Sequence, residues 1–446
     1  MISKRQLPEL RIFAQAEKRY RLRTDANFGS LVVPNGNADA PCHRWFRYKE
    51  AFSSELLTRV LKDFYPHHSA TNPIQLLDPF CGVGTGLLSG QLLDGAVSAV
   101  GIECNPFSAF VARTKLSWNA IDAQKMRQLA ANVLASTRTR SVGLPRLSSI
   151  ASGRCISVHM ARHIVLVRDA IRELPASCER DALLLGLAST IEPVSRVRRD
   201  GRALRIVEKP RVQFRRLLSE KWAAIASDIE TLRQDCRTPG AAEVRIGDGR
   251  MPSSVGVEKG SIDLILTSPP YPNNIDYNEV YKLELWFLEY AKDSIEFLEL
   301  RRSTFRSHPT CSELSDSISE KELTKIIEAG PLADLMSMVI KRVNSIENVD
   351  RRGRSKVLLG YIYDTWKSLQ AHFHSLRSGG RAIYVVGNSL HGGAQRPYLV
   401  PTDLIFARLA EMVGFKVEDL IIARGLQRRL SGNHFLRDSV LVFRKS

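Results

Sequence analysis

The sequence has few cysteines, and no two of them stand at metal-ligand spacing. Seven cysteines are scattered over 446 residues without a C-x-x-C pair. This pattern argues against a zinc site and a disulfide framework, and it fits a reducing cytosol. No run of about eighteen apolar residues occurs, so we expect no membrane span. The opening residues, Met1 to Gln6, lack the apolar core of a signal peptide. We therefore expect a cytoplasmic protein.

Acidic residues are fewer than basic ones. The chain carries 64 Lys and Arg against 47 Asp and Glu, which gives a net charge of +17. A surplus of this size indicates a polyanionic partner, most simply nucleic acid, although a basic surface that only promotes solubility is the alternative. Apolar residues make up 44% of the chain, enough for a substantial core. The length suits a large α/β domain with an insertion.

Alternating strand and helix patterns predict a parallel sheet. An apolar run from Ile74 to Asp78 precedes a glycine-rich turn and a helix, and a second strand follows from Ala96 to Ile102. A βαβ unit of this kind implies parallel strands. The strand pattern resumes at Ala242 to Ile246 and again at 262–267. We therefore expect an α/β fold with a mostly parallel, doubly wound sheet.

The remaining segments suggest a division of the chain. We interpret residues 1–40 as a loosely structured arm that covers the substrate. A helix is predicted from Tyr361 to Leu376, with Gly379 and Gly380 as the signal that ends it. The predicted domains are an N-terminal arm at 1–42, a catalytic domain at 43–119 and 241–446, and a helical, basic insertion at 120–240.

Three acids follow three of the predicted strands. Asp78 precedes a turn that contains Gly82 and Gly84, Glu103 ends the second strand, and Asp248 lies in a Gly-Asp-Gly turn. The turn is neither a complete G-x-G-x-x-G motif nor a P-loop, because no Lys-Ser or Lys-Thr follows. An acid after the second strand can bind the hydroxyls of a ribose, and Asp248 can bind an adenine amino group or form a plain Asx turn. The acids are predicted to line one crevice.

A stiff loop follows the strand at 262–267. It consists of Ser268, Pro269, Pro270 and Tyr271. Consecutive prolines fix the backbone and remove two hydrogen-bond donors, so the loop offers mostly carbonyl acceptors. Such a loop, ending in a tyrosine, suits a flat group that carries an NH2. An ordinary proline turn is the alternative.

Two motifs together resemble a known family. Asp78-Pro79-Phe80-Cys81-Gly82-Val83-Gly84-Thr85 and Thr267-Ser268-Pro269-Pro270-Tyr271 resemble motifs of the S-adenosylmethionine-dependent methyltransferases that modify exocyclic NH2 groups of DNA bases. The resemblance covers roughly residues 43–120 and 240–445, and the motif order is that of a subgroup with its target-recognition segment between the two. It implies a Rossmann-like methyltransferase fold, S-adenosylmethionine as cofactor without a metal, and double-stranded DNA as partner. A cognate restriction or defence partner is compatible with it.

The resemblance also implies roles for single residues. The glycine turn packs on the cofactor, Glu103 binds its ribose and Asp248 its adenine, while Phe52 and Ser53 touch its methionine part. The expected cofactor-binding residues are Phe52, Ser53, Asp78, Phe80, Gly82, Gly84, Thr85, Glu103, Asp248 and Thr267.

The catalytic residues expected are Ser268, Pro269, Pro270 and Tyr271. The Ser268 hydroxyl and the Pro269 carbonyl accept hydrogen bonds from the target amine, and Tyr271 stacks on a base that has been flipped out of the duplex. In the resembled family, serine before Pro-Pro is more typical of cytosine-N4 enzymes, and Asp or Asn is more typical of adenine-N6 enzymes. We therefore expect cytosine-N4 methylation. The alternatives are adenine-N6 methylation of DNA, guanine-N2 methylation of RNA, and a non-catalytic nucleic-acid binder.

Basic residues cluster within the insertion. Residues 195–221 contain ten Lys and Arg against three acids. Such clustering favours contacts with phosphates, and a solvated surface is the alternative. The expected DNA-binding residues are Arg196, Arg198, Arg199, Arg202, Arg205 and Lys209.

Overall fold

The computed structural model describes most of the chain. The described residues are 9–136, 143–144, 153–199, 204–236, 238–273, 275–311, 317–328, 333–350, 354–391, 397–426 and 435–446. Within these ranges, no helix is both long and apolar enough to cross a membrane.

An eight-stranded sheet organises the fold. The strands of the chain are β1 (Leu22–Thr24), β2 (Ile74–Asp78), β3 (Val97–Glu103), β4 (Val197–Arg199), β5 (Leu204–Ile206), β6 (Ala242–Ile246), β7 (Ile262–Thr267), β8 (Leu376–Gly387), β9 (Ser389–His391), β10 (Tyr398–Val400), β11 (Phe415–Gly425) and β12 (Arg437–Lys445). The order in the large sheet is β1-β11-β12-β8-β7-β2-β3-β6. The pairs β10-β9 and β4-β5 form separate two-stranded sheets.

The large sheet is mostly parallel. Its strand β12 runs antiparallel to both neighbours, and the other described pairs are parallel. The predicted fold class is therefore confirmed, and so are the bounds of β2 and β6. All six residues of β7 are buried because the strand lies between β2 and β8 and is covered on both faces.

Helices cover both faces of the sheet. They are α1 (Leu10–Glu17), α2 (Leu56–Phe64), α3 (Thr85–Gln91), α4 (Pro106–Leu116), α5 (Ala123–Ser136), α6 (Val158–Arg172), α7 (Cys178–Val194), α8 (Phe214–Asp235), α9 (Tyr277–Val280), α10 (Lys282–Phe287), α11 (Ser294–Arg302), α12 (Ser317–Glu328), α13 (Ala333–Asp350), α14 (Arg354–Ser375) and α15 (Thr402–Val413). Successive residues of β2 point to opposite faces. Leu76 therefore packs with α3 and α4 in one core cluster, and Leu77 packs with α14 and α15 in the other.

The insertion is helical, as predicted, and shares a core cluster with the sheet. Its helices α5 to α8 contribute buried residues such as Leu185 and Trp222 to the cluster that contains Leu76. Asp228 of α8, which is 1% exposed, accepts hydrogen bonds from the backbone N–H of Cys42 and the indole N–H of Trp45, both at 3.0 Å. The insertion is therefore joined firmly to the segment that precedes α2, and the exact domain boundaries stay a prediction.

The interpretation of the N-terminal arm as loosely structured is wrong for its described residues. Helix α1 buries Phe13 completely, and β1 adds a parallel strand beside β11. Apolar residues at Phe13, Ala16 and Tyr20 provide the buried side of this segment. None of the described residues of this arm, 9–42, lines the cavity described below.

Two smaller predictions also differ from the structure. Helix α14 begins at Arg354 rather than Tyr361, and strand β8 starts immediately after it at Leu376. Gly379 and Gly380 lie within this strand, where Gly379 has φ of 77°. The glycine pair therefore belongs to an irregular start of β8, and β8 shifts register against β7 near this point.

Candidate active site

The glycine turn connects the end of β2 to α3. Gly82 and Gly84 have φ of 52° and 76°, in the left-handed region that glycine adopts without strain. A Cβ atom at Gly84 would lie 3.0 Å from Cβ of Ala112 in α4, and one at Gly82 would lie 3.4 Å from the Tyr48 ring. Glycine at both positions lets the turn pass closely between α4 and Tyr48.

Asp78 links β2 to β7 at their carboxyl ends. Its Oδ1 accepts a hydrogen bond from the Thr267 hydroxyl at 2.7 Å and from the Phe80 N–H at 3.2 Å. Burial raises the pKa of Asp78 to about 7, although these hydrogen bonds oppose the rise. Thr267 is not itself a lining residue of the cavity, so its contribution to the site is the hydrogen bond that it donates to Asp78.

The carboxylate of Glu103 is fixed by two backbone groups. One oxygen accepts from the Gly82 N–H at 2.9 Å and the other from the Asn105 N–H at 2.7 Å. Burial raises the pKa of Glu103 against these two hydrogen bonds. The side chain thus holds the glycine turn and the start of α4 together at the cavity wall, with lone pairs left to accept from a hydroxyl.

Asp248 forms the Asx turn that the sequence allowed as an alternative, and it also lines the cavity. Its Oδ1 accepts from the Arg250 backbone N–H at 2.9 Å. The Arg250 guanidinium pairs with Asp248 at 2.7 Å and with the buried Asp364 at 2.8 Å. His372, whose pKa burial lowers to about 4, contacts the Gly249 carbonyl at 2.9 Å. The turn is therefore held from both sides.

The loop after β7 contains a hydroxyl pair. The Ser268 Oγ lies 3.0 Å from the Tyr271 hydroxyl, and that hydroxyl donates to the Val385 carbonyl at 3.3 Å. Because the tyrosine proton points to Val385, Ser268 is the donor within the pair. Its oxygen therefore keeps lone pairs that can accept from another group.

A cavity brings together most of the predicted site residues. Its wall includes Phe52, Asp78, Phe80, Gly82, Thr85, Glu103, Asp248, Ser268 and Pro270. The predicted residues that do not line it are Ser53, Gly84, Thr267, Pro269 and Tyr271. The Tyr271 ring instead packs against Gly387, where an added Cβ would lie 3.2 Å from the ring. Stacking of Tyr271 on a base stays a prediction.

Several wall residues were not among the predicted site residues. They include Tyr48, Glu50, Asn105 and Phe305. Tyr48 and Glu50 lie in the aromatic segment from which only Phe52 and Ser53 were selected, and the mixed character of that segment gave no pattern to rank them. Asn105 caps α4 and donates to the Asn278 side chain at 2.6 Å, a contact between residues far apart in the chain. Phe305 packs edge-on against Phe80 and comes from a segment without a motif.

The basic cluster divides into exposed and buried members. Arg196, Arg198 and Arg205 are exposed on the β4–β5 hairpin, where Arg198 stands opposite Arg205. Lys209 is half-buried and donates to the Glu192 carbonyl at 2.6 Å. Arg202 lies outside the described residues.

The prediction that Arg199 contacts DNA phosphates is wrong. Its side chain is buried and pairs with the carboxylates of Glu192 and Glu284. Both carboxylates already neutralise the guanidinium, so its role lies inside the protein.

The described residues contain no group of three or more His, Cys, Asp or Glu side chains placed to hold a metal ion. The absence of a metal from the reaction stays an expectation.

Comparisons with known proteins find relatives among the type II methyltransferases. The type II methyltransferase M.BsoBI of Geobacillus stearothermophilus is 22% identical over an alignment of 424 positions, which covers 86% of this chain and 81% of that protein. The type II methyltransferase M.AvaI of Nostoc sp. is 23% identical over an alignment of 464 positions, which covers 96% of this chain and 92% of that protein. No family model matches the sequence.

The rRNA methyltransferase aviRa from Streptomyces viridochromogenes aligns with 88% of this chain and 85% of its own, at 11% identity and a TM-score of 0.32. A score this low carries no argument about the fold, which rests on the strand order and direction given above.

The mostly parallel sheet, with acids and a glycine turn at the carboxyl ends of its strands, is consistent with a Rossmann-like methyltransferase fold. Relatives along most of its length are type II methyltransferases, which supports a place for this chain among the S-adenosylmethionine-dependent DNA methyltransferases.

Proposed function

We propose that the protein transfers a methyl group from S-adenosylmethionine to the exocyclic N4 amine of a cytosine flipped out of double-stranded DNA. One observation carries the proposal. Ser268 and Pro270, from the loop expected to bind the amine, lie on the wall of the same cavity as Glu103 and Asp248. Groups suited to the two reactants therefore share one space, as direct transfer requires.

The wall residues fit the cofactor. Glu103 presents a fixed carboxylate suited to ribose hydroxyls, and Asp248 and Phe80 offer an acceptor and an apolar face suited to adenine. The left-handed glycine turn leaves no side chain between the backbone and the cavity at Gly82. When bound, S-adenosylmethionine supplies an electrophilic methyl group on a sulfonium. The proposed reaction needs no metal.

The chain's own residues orient the target amine. An exocyclic amine is a weak nucleophile because its lone pair is delocalised into the ring. The Ser268 oxygen and the Pro269 carbonyl are proposed to accept its N–H groups, so that the lone pair points away from the ring plane. Ser268 is suited to this because its own proton is directed toward Tyr271. The contribution is positioning and electrostatic stabilisation, without a covalent intermediate on the enzyme.

The exposed arginines of the β4–β5 hairpin are proposed to contact the DNA backbone. Arg198 stands opposite Arg205 in the strand register and is exposed. Exposed guanidinium groups are suited to the oxygens of a phosphate. Arg196, which directly precedes β4, is exposed as well.

The test is methylation of duplex DNA with labelled S-adenosylmethionine, followed by digestion to nucleosides. We expect N4-methylcytosine. N6-methyladenine would move the assignment to the adenine alternative, since the same cavity and loop can present either amine. Methylation of structured RNA but not of DNA would favour guanine-N2 modification, and the absence of transfer to any nucleic acid would overturn the proposal.

A further inference from the structure

The cavity wall is acidic. Glu50, Asp78, Glu103 and Asp248 line it, and among the residues that the structure describes no Lys, Arg or His does. All four accept hydrogen bonds within the protein: Asp78 from Thr267, Glu103 from two backbone N–H groups, Asp248 from Arg250, and Glu50 from Tyr281. Glu50 has no role in the reaction proposed above.

Glu50 is held in place by a tyrosine of the catalytic domain. Its Oε2 accepts a hydrogen bond from the Tyr281 hydroxyl at 2.7 Å. Tyr281 is fully buried and stacks on Tyr48, with ring centroids 5.0 Å apart and an interplanar angle of 12°. Tyr48 also lines the cavity and lies against Gly82. Glu50 is therefore a positioned carboxylate next to the glycine turn.

A buried arginine of the insertion supports this tyrosine. The Arg199 guanidinium carbon lies 4.4 Å from the centroid of the Tyr281 ring and 5.3 Å from that of Phe46. Its charge is paired with Glu284, which is 1% exposed, and with Glu192 at 3.0 Å. Arg199 thus fixes the Tyr281 ring from the side of the insertion, which explains why this basic residue is buried.

Among the residues that the structure describes, no Lys or Arg forms an ion pair with Glu50, and its bound partner is a neutral hydroxyl. A half-buried carboxylate without a paired cation is unfavourable, and a cationic ligand group that donates hydrogen bonds would compensate it. The α-ammonium of S-adenosylmethionine is such a group. The sulfonium also carries positive charge, but it has no N–H to donate.

We propose that Glu50 is a further cofactor-binding residue that takes the α-ammonium of the methionine part, and that Arg199 positions it through Tyr281. The proposal rests on the proposed function, because it needs S-adenosylmethionine as the ligand of this cavity. The insertion would then have two roles, because β4 carries both Arg199, which positions Glu50, and the exposed Arg198, which is proposed to contact DNA.

Binding of the ammonium requires ionised Glu50, so the affinity for the cofactor depends on pH. Burial raises the pKa of Glu50, while the hydrogen bond from Tyr281 and the charges of Arg199 and Lys49 lower it. The other ionisable groups that face it are Tyr48 and Tyr277. Cofactor affinity should therefore fall as the pH decreases through the pKa of Glu50. Removing the charge of Arg199 should move that fall to higher pH.

The first experiment is isothermal titration of the full-length protein with S-adenosylmethionine and with S-adenosylhomocysteine, which keeps the ammonium but lacks the sulfonium. Glu50→Gln should weaken binding of both ligands equally, by about tenfold. Glu55→Gln, an exposed glutamate on the same segment, is the matched control and should bind both as wild type does. Weakening of S-adenosylmethionine alone would overturn the ammonium assignment.

The second experiment follows cofactor affinity against pH in Arg199 variants. Arg199→Met should shift the profile to higher pH, and Arg199→Lys, which keeps the charge, should shift it less. Arg216→Met removes an exposed arginine of α8 and should leave the profile unchanged. A uniform loss of affinity in Arg199→Met at every pH would show a structural role only and would overturn the positioning role.

The two proposals fail in different ways. If the wild-type protein binds neither ligand, the proposed function fails. If the wild type binds both and Glu50→Gln binds them equally well, only the inference about Glu50 fails. Should Arg199→Met not fold, Tyr281→Phe removes the hydroxyl that holds Glu50 and should weaken both ligands by severalfold, less than Glu50→Gln does.

Discussion

The hydroxyl groups of Ser268 and Tyr271 lie 3.0 Å apart, so the two side chains act as one unit at the scale of single residues. Tyr271 donates its proton to the Val385 carbonyl, which leaves the serine oxygen ready to accept. A serine without this partner could rotate and turn its own proton toward the substrate amine, where it would repel an N–H donor. The tyrosine therefore has a part in the proposed reaction even without lining the cavity.

For this pair we expect a graded effect on turnover. Ser268→Ala should lower kcat about a hundredfold, because one acceptor for the amine is removed. Tyr271→Phe keeps the ring and removes the hydroxyl, and it should lower kcat about fivefold. Single-turnover methylation and DNA affinity are the measurements. Equal kcat values for Ser268→Ala and wild type would contradict the role of Ser268, and a matching loss of DNA affinity would point to binding instead.

Asp78 should make the cofactor-free protein sensitive to pH. Burial raises its folded-state pKa from 3.8 to about 7, so ionisation of this side chain opposes folding. Its neutral form therefore contributes stability that is complete below about pH 4 and is lost as the pH rises through about 7. Asp78→Asn cannot ionise. Relative to wild type, its free energy of unfolding should increase between about pH 5 and about pH 8.

Denaturant unfolding at both pH values measures this difference. Glu50 and Glu103, whose pKa values burial also raises, are present in both proteins and cancel in the comparison. A difference between the variant and wild type that does not change with pH would contradict the effect of burial on Asp78.

At the scale of elements, the turn between β2 and α3 sets the shape of the site. Its two left-handed glycines direct the backbone past α4, and Glu103 holds the turn through the Gly82 N–H. Helix α3 begins at Thr85, directly after the second of these glycines. The turn, the strand end and the helix start therefore have to move together.

Comparing Gly84→Ala with a control glycine variant should separate the cost of backbone strain from the cost of the steric contact with α4. At position 84 an alanine would adopt φ of 76°, which strains the backbone, and its Cβ would lie 3.0 Å from Cβ of Ala112. We therefore expect the free energy of unfolding to fall by about 2–4 kcal/mol. Gly36→Ala is the matched control, because Gly36 has φ of 81° and nothing within 4 Å of the added Cβ. It should be destabilised by about 1–2 kcal/mol. Equal losses of stability would mean that the packing against α4 is unimportant.

At the scale of the whole molecule, acidic and basic residues occupy different places. The net charge is +17, yet the cavity wall carries four acids and none of its lining residues is basic. Basic residues suited to a polyanion lie outside the cavity, with three of them on the β4–β5 hairpin. Such an arrangement can attract DNA by its phosphates while the cavity stays favourable for a cation.

The proposed DNA interface should appear in the salt dependence of binding. Replacing Arg196 and Arg198 by Gln should make the slope of log K against log salt concentration less steep by about one for each phosphate that is no longer bound. Arg444→Gln is the control, because Arg444 lies opposite Arg381 of β8 in the register of the large sheet, whereas the β4–β5 hairpin forms a separate sheet. Fluorescence anisotropy with duplex DNA is suitable. An unchanged slope in the double variant would place the DNA-binding surface elsewhere.

The sequence by itself was sufficient for the fold class, the strands β2 and β6 and the approximate place of the site. These features depend on local patterns: apolar runs, glycines in a turn, and acids directly after strands. Because carboxyl ends of parallel strands meet at one edge, the pattern also predicted that Asp78, Glu103 and Asp248 would come together, and they line one cavity.

Tertiary structure decided what depends on contacts between distant segments. Arg199 looked like its basic neighbours, but its burial against Glu284, 85 residues away, gives it a different role. The same holds for Glu50, whose partner Tyr281 is 231 residues away, and for the N-terminal arm, whose strand pairs with β11 near the other end of the chain. Composition measures the number of charges, whereas packing determines which of them face solvent, a ligand or one another.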